Sequence, residues 1–193
     1  MPPIYITTLN SPYGPLIIGD HKGQLCLLDW QYRARRRQID NRICSLLNAE
    51  YVERSTSLHE VVTGQLYEYF EGRRAGFDLP LLFAGTAFQQ NVWHNLLNIR
   101  YGETISYLEL GRRTGNEKSI RAAAAANGAN AISIVVPCHR VTGSKGELTG
   151  YAGGIHVKQQ LLRLEYDYQR PNLFSPPGPG DSSGPKHSRF KAG

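Results

Sequence analysis

The chain has 193 residues, 40% of them hydrophobic and 20% charged, so it can bury a sizeable core and is not disordered as a whole. It contains no run of the roughly 18 apolar residues that a membrane-spanning helix needs, and its first ten residues show no signal-peptide pattern. Three cysteines do not make a disulfide framework, so we expect a reducing cytoplasm, and the net charge of +6 permits a nucleic-acid partner without proving one.

Residues 1–85 predict a small supporting α/β domain. Dense turn signals at Ser11-Pro12-Tyr13-Gly14-Pro15 and at Lys22-Gly23 separate short β-prone runs, and two amphipathic patterns follow. The predicted elements are three strands and then two helices, at 4–9, 16–19, 24–30, 33–47 and 57–71.

Three features of this first domain each allow two interpretations. The arginines at 33, 35, 36 and 37 fit either a solvated helix face or a phosphate contact. Cys26 and Cys44 fit either small core residues or, with His21 or His59, a metal site, although their spacing matches no zinc pattern.

Residues 86–170 predict a second, mostly helical domain, which begins with Thr86 as a helix N-cap. Predicted helices at 106–113 and 117–127, joined by Thr114-Gly115-Asn116, form a helix-turn-helix pattern. The proline-, glycine- and serine-rich segment 171–193 predicts a disordered tail.

The second helix of this pattern has an unusual composition, with Arg121 followed by five alanines. Methyl side chains cannot read base edges, but they let a helix backbone approach the narrow minor groove of DNA closely. Nearby Arg112, Arg113 and Lys118 could neutralise phosphates. A tightly packed helix pair that binds nothing is the alternative interpretation.

Cys138 is a candidate reactive cysteine. The apolar run 132–136 indicates a buried strand that ends at Pro137 and presents Cys138 at a turn, next to His139. A thiol needs a base to become a nucleophile, and one bridging water would link the neighbouring side chains. A carboxylate elsewhere would orient the histidine. A structural cysteine in the core is the alternative interpretation.

Several segments together resemble one protein family. They are GTAFQQNVW (85–93), YGETISY (101–107), IRAAAAANGAN (120–130), ISIVVPCHRV (132–141), GELTGYAGG (146–154) and KQQLLRLE (158–165). In this combination the chain resembles the O6-alkylguanine-DNA alkyltransferases, also called methylated-DNA–protein-cysteine methyltransferases, of the free-standing bacterial type.

The resemblance implies an α/β fold with an N-terminal ribonuclease H-like domain and a C-terminal winged-helix-like domain that contains the helix-turn-helix. It implies a suicidal DNA repair protein that flips O6-alkylguanine, with O4-methylthymine as a possible second substrate, out of double-stranded DNA through the minor groove. We expect no metal, no other cofactor and no membrane. We expect a monomer in the cytoplasm, at the nucleoid when on DNA, and leave cooperative assembly open.

The resemblance also implies residue roles. Cys138 would accept the alkyl group, His139 would take its proton through a water, Glu165 would orient the histidine, and Asn130 would hold the reactive segment. Tyr107 would donate to the flipped guanine, and Val141, Tyr151 and Ala152 would line the base pocket. The implied DNA contacts are Arg121, as the residue that enters the base stack, with Ala122, Ala123, Arg112 and Arg113.

Three departures from the family pattern are visible, at Arg100, at Ala131 and in the alanines after Ala122, where relatives commonly have other residues. The change to Ala131 predicts a less rigid turn at Asn130. Two other functions remain to be separated from alkyl transfer: a lesion-binding protein without chemistry, and a cysteine hydrolase that uses Cys138 and His139.

Overall fold

The computed structural model describes residues 2–115 and 120–169. The predicted tail 171–193, Lys118 and the predicted start of the second helix at 117 lie outside the described residues. Within the described ranges, no helix combines the length and apolar character that a membrane crossing requires.

A four-stranded sheet forms the N-terminal domain, in the order β3-β2-β1-β4. Its strands are β1 (Ile4–Ser11), β2 (Gly14–His21), β3 (Gln24–Trp30) and β4 (Tyr51–Glu53). The first three pair antiparallel, as their short turns require, whereas β4 pairs parallel to β1 after a helical crossover. β4 is not among the predicted strands, because three residues are too few to show an alternating pattern.

Two helices complete this domain, α1 (Arg36–Leu47) and α2 (Ser57–Phe70). The predicted start of α1 at Arg33 is three residues early, because Arg35 adopts a left-handed conformation with φ of 64° immediately before the helix. Arg33 is also buried, at 8% exposure. Neither a solvated helix face nor a phosphate contact therefore describes it.

The C-terminal domain is mostly helical. Its elements are α3 (Ala87–Leu97), β5 (Ile105–Ser106), α4 (Tyr107–Arg113), α5 (Ile120–Gly128), a 3-10 helix (Cys138–Arg140), β6 (Val141–Thr142) and α6 (Ile155–Gln169). Thr86 caps α3 as predicted, since its hydroxyl accepts from Gln89 N while the Gln89 side chain binds back to Thr86 N. The mixed α/β architecture, with a sheet domain followed by a helical domain, is confirmed.

The predicted strand over 132–136 is wrong. Ile132 makes an isolated bridge to Leu28 of β3, and the chain then turns through Ile134, which has a φ of 72°. Apolar content alone suggested a strand, but these residues are apolar because the turn is buried. Residues 131–137 therefore form a tight buried loop that leads into the 3-10 helix.

Both domains contribute to one hydrophobic core. Leu16 and Leu28 of the sheet belong to the same buried cluster as Leu96 of α3 and Leu161 of α6. The loop 131–137 also contributes side chains to this cluster. Because protein interiors are close-packed, side chains of both domains pack against the loop.

Candidate functional site

Cys138 is the first residue of the 3-10 helix and is 4% exposed. Its Sγ lies 3.1 Å from Nδ2 of Asn130, which points an amide donor at the sulfur. Such a donor favours negative charge on sulfur. The structure thus supplies one preformed contact for a thiolate at the end of the buried loop.

Asn130 organises that loop through its side chain. Its Oδ1 accepts from Ile132 N at 2.9 Å, and its Nδ2 donates to Val136 O at 2.9 Å as well as to Cys138. A single buried amide therefore ties the start of the loop to its end and to the sulfur. The Asn130 side chain thus lies at the segment that the resemblance expects it to hold.

His139 and Glu165 form a buried pair, with 2.7 Å between His139 Nε2 and Glu165 Oε1. Since a carboxylate only accepts, Nε2 carries the proton and the lone pair of the imidazole is on Nδ1. Among the described residues nothing binds this Nδ1, which is buried. The imidazole is therefore held in the tautomer that leaves one nitrogen ready to take a proton.

Glu165 accepts hydrogen bonds from three further residues. Arg140 donates through Nε at 2.9 Å and through Nη2 at 3.0 Å, the Tyr69 hydroxyl donates at 2.7 Å, and Gly102 N donates at 3.1 Å. Burial alone raises the pKa of Glu165, but His139 and Arg140 outweigh it and hold this pKa well below its ordinary range. The carboxylate is therefore ionised at neutral pH.

The Cys138 thiol and the His139 imidazole both rest in their neutral forms. Burial raises the pKa of the Cys138 thiol, and the hydrogen bond from Asn130 opposes that rise only in part. Burial likewise lowers the pKa of His139, although Glu165 pulls it upward. A neutral thiol beside a neutral imidazole is the state from which a proton is transferred during the reaction rather than before it.

A cavity of about 540 Å³ lies near this group, although Cys138, His139 and Glu165 are not among the residues that line it. It brings together Tyr107, at the start of α4, with Tyr151 and Ala152 of the loop before α6. The Tyr151 ring centroid lies 6.2 Å from that of His139, so this loop connects the cavity to the buried pair. Three of the four residues assigned to substrate binding therefore share one cavity.

Val141, the fourth, is not among the residues that line this cavity. It is fully buried, its N–H donates to Cys138 O, and its carbonyl accepts from Lys158 Nζ at 2.6 Å. The same ammonium donates to Thr149 O at 2.9 Å, which ties the 146–154 loop to β6. Val141 thus acts in the structure as an anchor for that loop.

The predicted DNA-contact residues divide by exposure. Arg121 and Ala122 of α5 are exposed, and so are Arg112 and Arg113 at the end of α4. Ala123 is fully buried in the core. Because a helix turns by about 100° per residue, consecutive alanines cannot all face outward, and we therefore leave Ala123 out of the candidate DNA surface.

No cluster of three or more His, Cys, Asp or Glu side chains that could hold a metal occurs in the described part of the chain. His21 and His59, considered with Cys26 and Cys44 in the sequence analysis, instead have ring nitrogens near backbone carbonyls of Pro3 and Tyr5. Cys26 donates to Gly19 O and lies in the core, as its first interpretation predicted.

Sequence reasoning missed several residues of this site, namely Asp29, Arg33, Tyr69, Arg140 and Lys158. The burial of Lys158 could have been predicted from helical spacing. It lies three positions before Leu161 and seven before Glu165, so all three share one buried face of the helix. Asp29, Arg33 and Tyr69 gave no such signal, since they reach the site from another domain.

Comparisons with known proteins agree on one family. The family model "6-O-methylguanine DNA methyltransferase, ribonuclease-like domain" matches residues 4–83, and the model of the DNA binding domain of the same family matches residues 87–167. The methylated-DNA–protein-cysteine methyltransferase of Methanosarcina barkeri is 39% identical over 162 residues, which cover 84% of this chain and 97% of that protein.

Solved structures give the same result. A crystal structure of Mycobacterium tuberculosis O6-methylguanine methyltransferase matches with a TM-score of 0.72 and 38% identity, over 90% of this chain and 98% of that one. A structure of Mycobacterium tuberculosis OGT in complex with DNA matches with a TM-score of 0.72 and 40% identity, over 85% and 94% of the two chains.

Proposed function

The chain belongs to the 6-O-methylguanine DNA methyltransferase family, and from this premise we propose that Cys138 is the cysteine that receives the alkyl group. The chain is a DNA repair methyltransferase, in which an alkyl group passes from damaged DNA to a cysteine of the protein itself. Which residues perform this transfer, and how the damaged base reaches them, is the content of the proposal.

Cys138 differs from the other two cysteines in its surroundings. Its sulfur receives a hydrogen bond from the side-chain amide of Asn130, and the residue adjoins a histidine–carboxylate pair. Burial raises the pKa of all three thiols, to about 12 at Cys26, so the pKa does not distinguish Cys138. The side-chain amide and the adjoining histidine–carboxylate pair support Cys138 as the nucleophile, because a thiol reacts as the thiolate and needs a base to form it.

His139 is the proposed base. The thiol proton moves through one water to Nδ1 of His139, and the charge of Glu165 stabilises the imidazolium that forms. The short contact between His139 Nε2 and Glu165 Oε1, at 2.7 Å, supports this path because it leaves Nδ1 as the acceptor. Asn130 stabilises the sulfur while it carries charge.

The transfer itself exchanges one bond for another. The sulfur attacks the alkyl carbon, a carbon–sulfur bond forms, and the bond from that carbon to guanine O6 breaks. Guanine departs with the electron pair of the broken bond and takes a proton from the Tyr107 hydroxyl. His139 releases the thiol proton to water and Tyr107 regains one from water, so the protons balance. The thioether offers no carbonyl that water could attack. We therefore expect each molecule to react once, without a cofactor.

Damaged guanine must leave the base stack to reach the sulfur, because Cys138 is buried behind the protein surface. Extrusion costs on the order of a few kcal/mol, and less for a poorly paired damaged base. Exposed Arg121, at the beginning of the described part of α5, is proposed to fill the space that the base vacates. Exposed Ala122 beside it allows close approach through the minor groove, while Arg112 and Arg113 contact phosphates.

O6-alkylguanine in double-stranded DNA is the proposed substrate, with O4-methylthymine as a second one. Both lesions carry an alkyl group on an exocyclic oxygen, so the same attack applies to each. We expect the protein to act as a monomer, in the cytoplasm and at the nucleoid. Cooperative assembly along DNA is not part of the proposal.

The geometry that carries this proposal is the sequence of contacts from Asn130 to Cys138 and from His139 to Glu165. Its test is mass spectrometry of the intact protein after incubation with duplex DNA that contains O6-methylguanine, followed by peptide mapping. We expect one methyl group per molecule, on Cys138, and none on a Cys138→Ser variant. A Cys26→Ser variant is the matched control and should react fully.

The same experiment separates the other two functions. A lesion-binding protein without chemistry would shift the DNA in a gel but leave Cys138 unmodified. A cysteine hydrolase would regenerate its thiol and act on many substrate molecules. Methyl transfer to Cys26 or Cys44 would contradict the assignment of the acceptor while leaving the family activity intact.

A further inference from the structure

Arg33 connects the N-terminal domain to the backbone at Gly128 and Asn130, just before the buried loop 131–137. It lies three residues after the end of β3 and is 8% exposed. Its Nη2 donates to Gly128 O at 2.7 Å and its Nη1 donates to Asn130 O at 2.9 Å. A guanidinium presents its donors in a fixed planar fork, so these two bonds set the position of the backbone between the end of α5 and Asn130.

Asp29 reinforces this contact from the same domain. Its Oδ2 accepts from Arg33 Nη1 at 2.6 Å, and its Oδ1 accepts from the Ser133 hydroxyl at 3.2 Å. Asp29 is fully buried. Asp29 therefore contacts both sides of the turn that begins at Asn130: one side through Arg33 and the other through Ser133.

The turn depends on such contacts because its next residue is Ala131, which has no ring to restrict its φ. The Ala131 carbonyl accepts from Leu28 N at 2.8 Å, again from the N-terminal domain. Asn130 then directs its Nδ2 at Cys138 Sγ. The position of the sulfur is thus linked, through one side chain, to a backbone that the other domain holds.

We propose that Arg33 is a positioning residue for the acceptor: together with Asp29 it fixes the backbone of Asn130, and Asn130 holds the sulfur of Cys138. This inference rests on the proposed role of Cys138. It makes the N-terminal domain a component of the reaction rather than only a support, because a displacement of about 1 Å in a reacting group can cost a hundredfold in rate.

Position and charge make separable contributions. Burial is the main cause of the raised pKa of Cys138, Arg33 opposes it, and Asp29 adds to it. Removal of Arg33 alone would therefore change the charge near the sulfur and also release the Asn130 backbone. Removal of both Asp29 and Arg33 charges would also release the Asn130 backbone, but the net charge near the sulfur would not change.

The experiment compares four variants of the full chain with the wild-type protein: Arg33→Lys, Arg33→Met, the double variant Asp29→Asn/Arg33→Met, and Arg37→Met. Arg37 is an exposed arginine of the same run and serves as the matched control. The double variant guards against misfolding, because loss of one partner of a buried ion pair is far more damaging than loss of both.

Two rates are measured at Cys138 by peptide mass spectrometry, over a range of pH. One is alkylation by free O6-benzylguanine, which requires no DNA. The other is alkylation by iodoacetamide, which reacts with the thiolate without binding in the site for guanine. Its pH dependence therefore reports the pKa of the thiol. Circular dichroism at each pH confirms that the compared proteins are folded.

We expect Arg33→Lys to react with free O6-benzylguanine at least about tenfold more slowly than the wild type, with an unchanged pH midpoint, since an ammonium keeps the charge but not the planar fork. The double variant should be slowed to a similar extent, and Arg33→Met should in addition shift the midpoint upward. Arg37→Met should match the wild type.

Wild-type rates for the Lys variant or for the double variant would overturn the positioning role. In that case Arg33 would act through its charge alone or not at all. Failure of the wild-type protein to label Cys138 with O6-benzylguanine would instead count against the proposed acceptor, so the two failures are distinguishable.

Discussion

The Tyr69 hydroxyl donates a 2.7 Å hydrogen bond to Oε1 of Glu165, although the two residues are 96 positions apart in the chain. Tyr69 belongs to α2 of the N-terminal domain and Glu165 to α6 of the C-terminal domain. Both are fully buried. The carboxylate that orients His139 is therefore held by donors from both domains, and its ionisation is tied to their packing.

This contact predicts how stability depends on pH. Because the pKa of Glu165 in the folded protein lies below its unfolded value of about 4.3, its contribution to stability is complete above that value. The contribution is lost as the pH falls toward the folded-state pKa. Tyr69→Phe raises that pKa, and it should lower the free energy of unfolding at neutral pH by about 1.5–3 kcal/mol.

Urea unfolding at neutral pH and at about pH 3 measures this effect. The folded-state pKa of Glu165 lies well below its ordinary range, so the carboxylate stays ionised in the folded wild type at pH 3. Both proteins should lose stability between neutral pH and pH 3, whereas the difference between Tyr69→Phe and the wild type should persist there. Tyr67→Phe is the control, because Tyr67 lies on the same helix and is 41% exposed. An equal loss for the two variants would contradict the role of the contact.

Glu165→Gln tests the proton path. The amide keeps the size of the side chain but removes the charge that stabilises the imidazolium of His139. We expect the apparent pKa of Cys138 to rise and alkylation at neutral pH to slow by about a hundredfold or more, within the range for general base catalysis. The pH profile of iodoacetamide labelling at Cys138 measures the shift, and an unchanged profile would count against the path.

Arg121→Ala tests base extrusion. Loss of the side chain that fills the gap should slow repair of O6-methylguanine in duplex DNA by on the order of a hundredfold, since a few kcal/mol of extrusion free energy is no longer offset. Reaction with free O6-benzylguanine needs no extrusion and should keep its rate. Equal losses with both substrates would refute the role.

Arg163→Ala is the charge-matched control for this experiment. Its side chain on α6 is 83% exposed and pairs with Asp167 at 3.6 Å. This variant loses the same positive charge as Arg121→Ala, so any general weakening of DNA binding by the lower net charge would be seen in both proteins.

Gly153→Ala tests how the loop before α6 lies on the N-terminal domain. A Cβ at Gly153 would lie 2.6 Å from Cε2 of Trp30, closer than side chains approach one another. We expect the loop to be displaced, with an unfolding free energy lower by about 1–3 kcal/mol and slower reaction with free O6-benzylguanine. Thermal unfolding and the alkylation rate measure these effects.

Gly64→Ala is the contrasting substitution. Gly64 lies exposed within α2, and an added Cβ there meets no atom within 4 Å in the described part of the protein. Alanine should raise the unfolding free energy by about 0.5–1 kcal/mol, through its helix propensity, and leave the alkylation rate unchanged. A Gly153→Ala variant that behaves like Gly64→Ala would show that the loop is free of Trp30.

Local signals explain which predictions succeeded. Thr86 and Gln89 lie three residues apart and cap each other, so their pattern is visible in four letters of sequence. The joint motifs around Cys138 identified the family in the same way. The strand predicted over 132–136 failed, because a buried turn and a buried strand are equally apolar.

The sequence by itself determined the family, and it contains the features from which the chemistry is proposed: a cysteine followed by a histidine at 138 and 139, and a helix-turn-helix pattern before them. These features are short-range, because each is set by neighbouring residues and by helical spacing. Only the tertiary structure decided what holds them in place. The contacts of Arg33 with Asn130 and of Tyr69 with Glu165 each span 96 or 97 positions, and no local pattern specifies which distant residues packing will bring together.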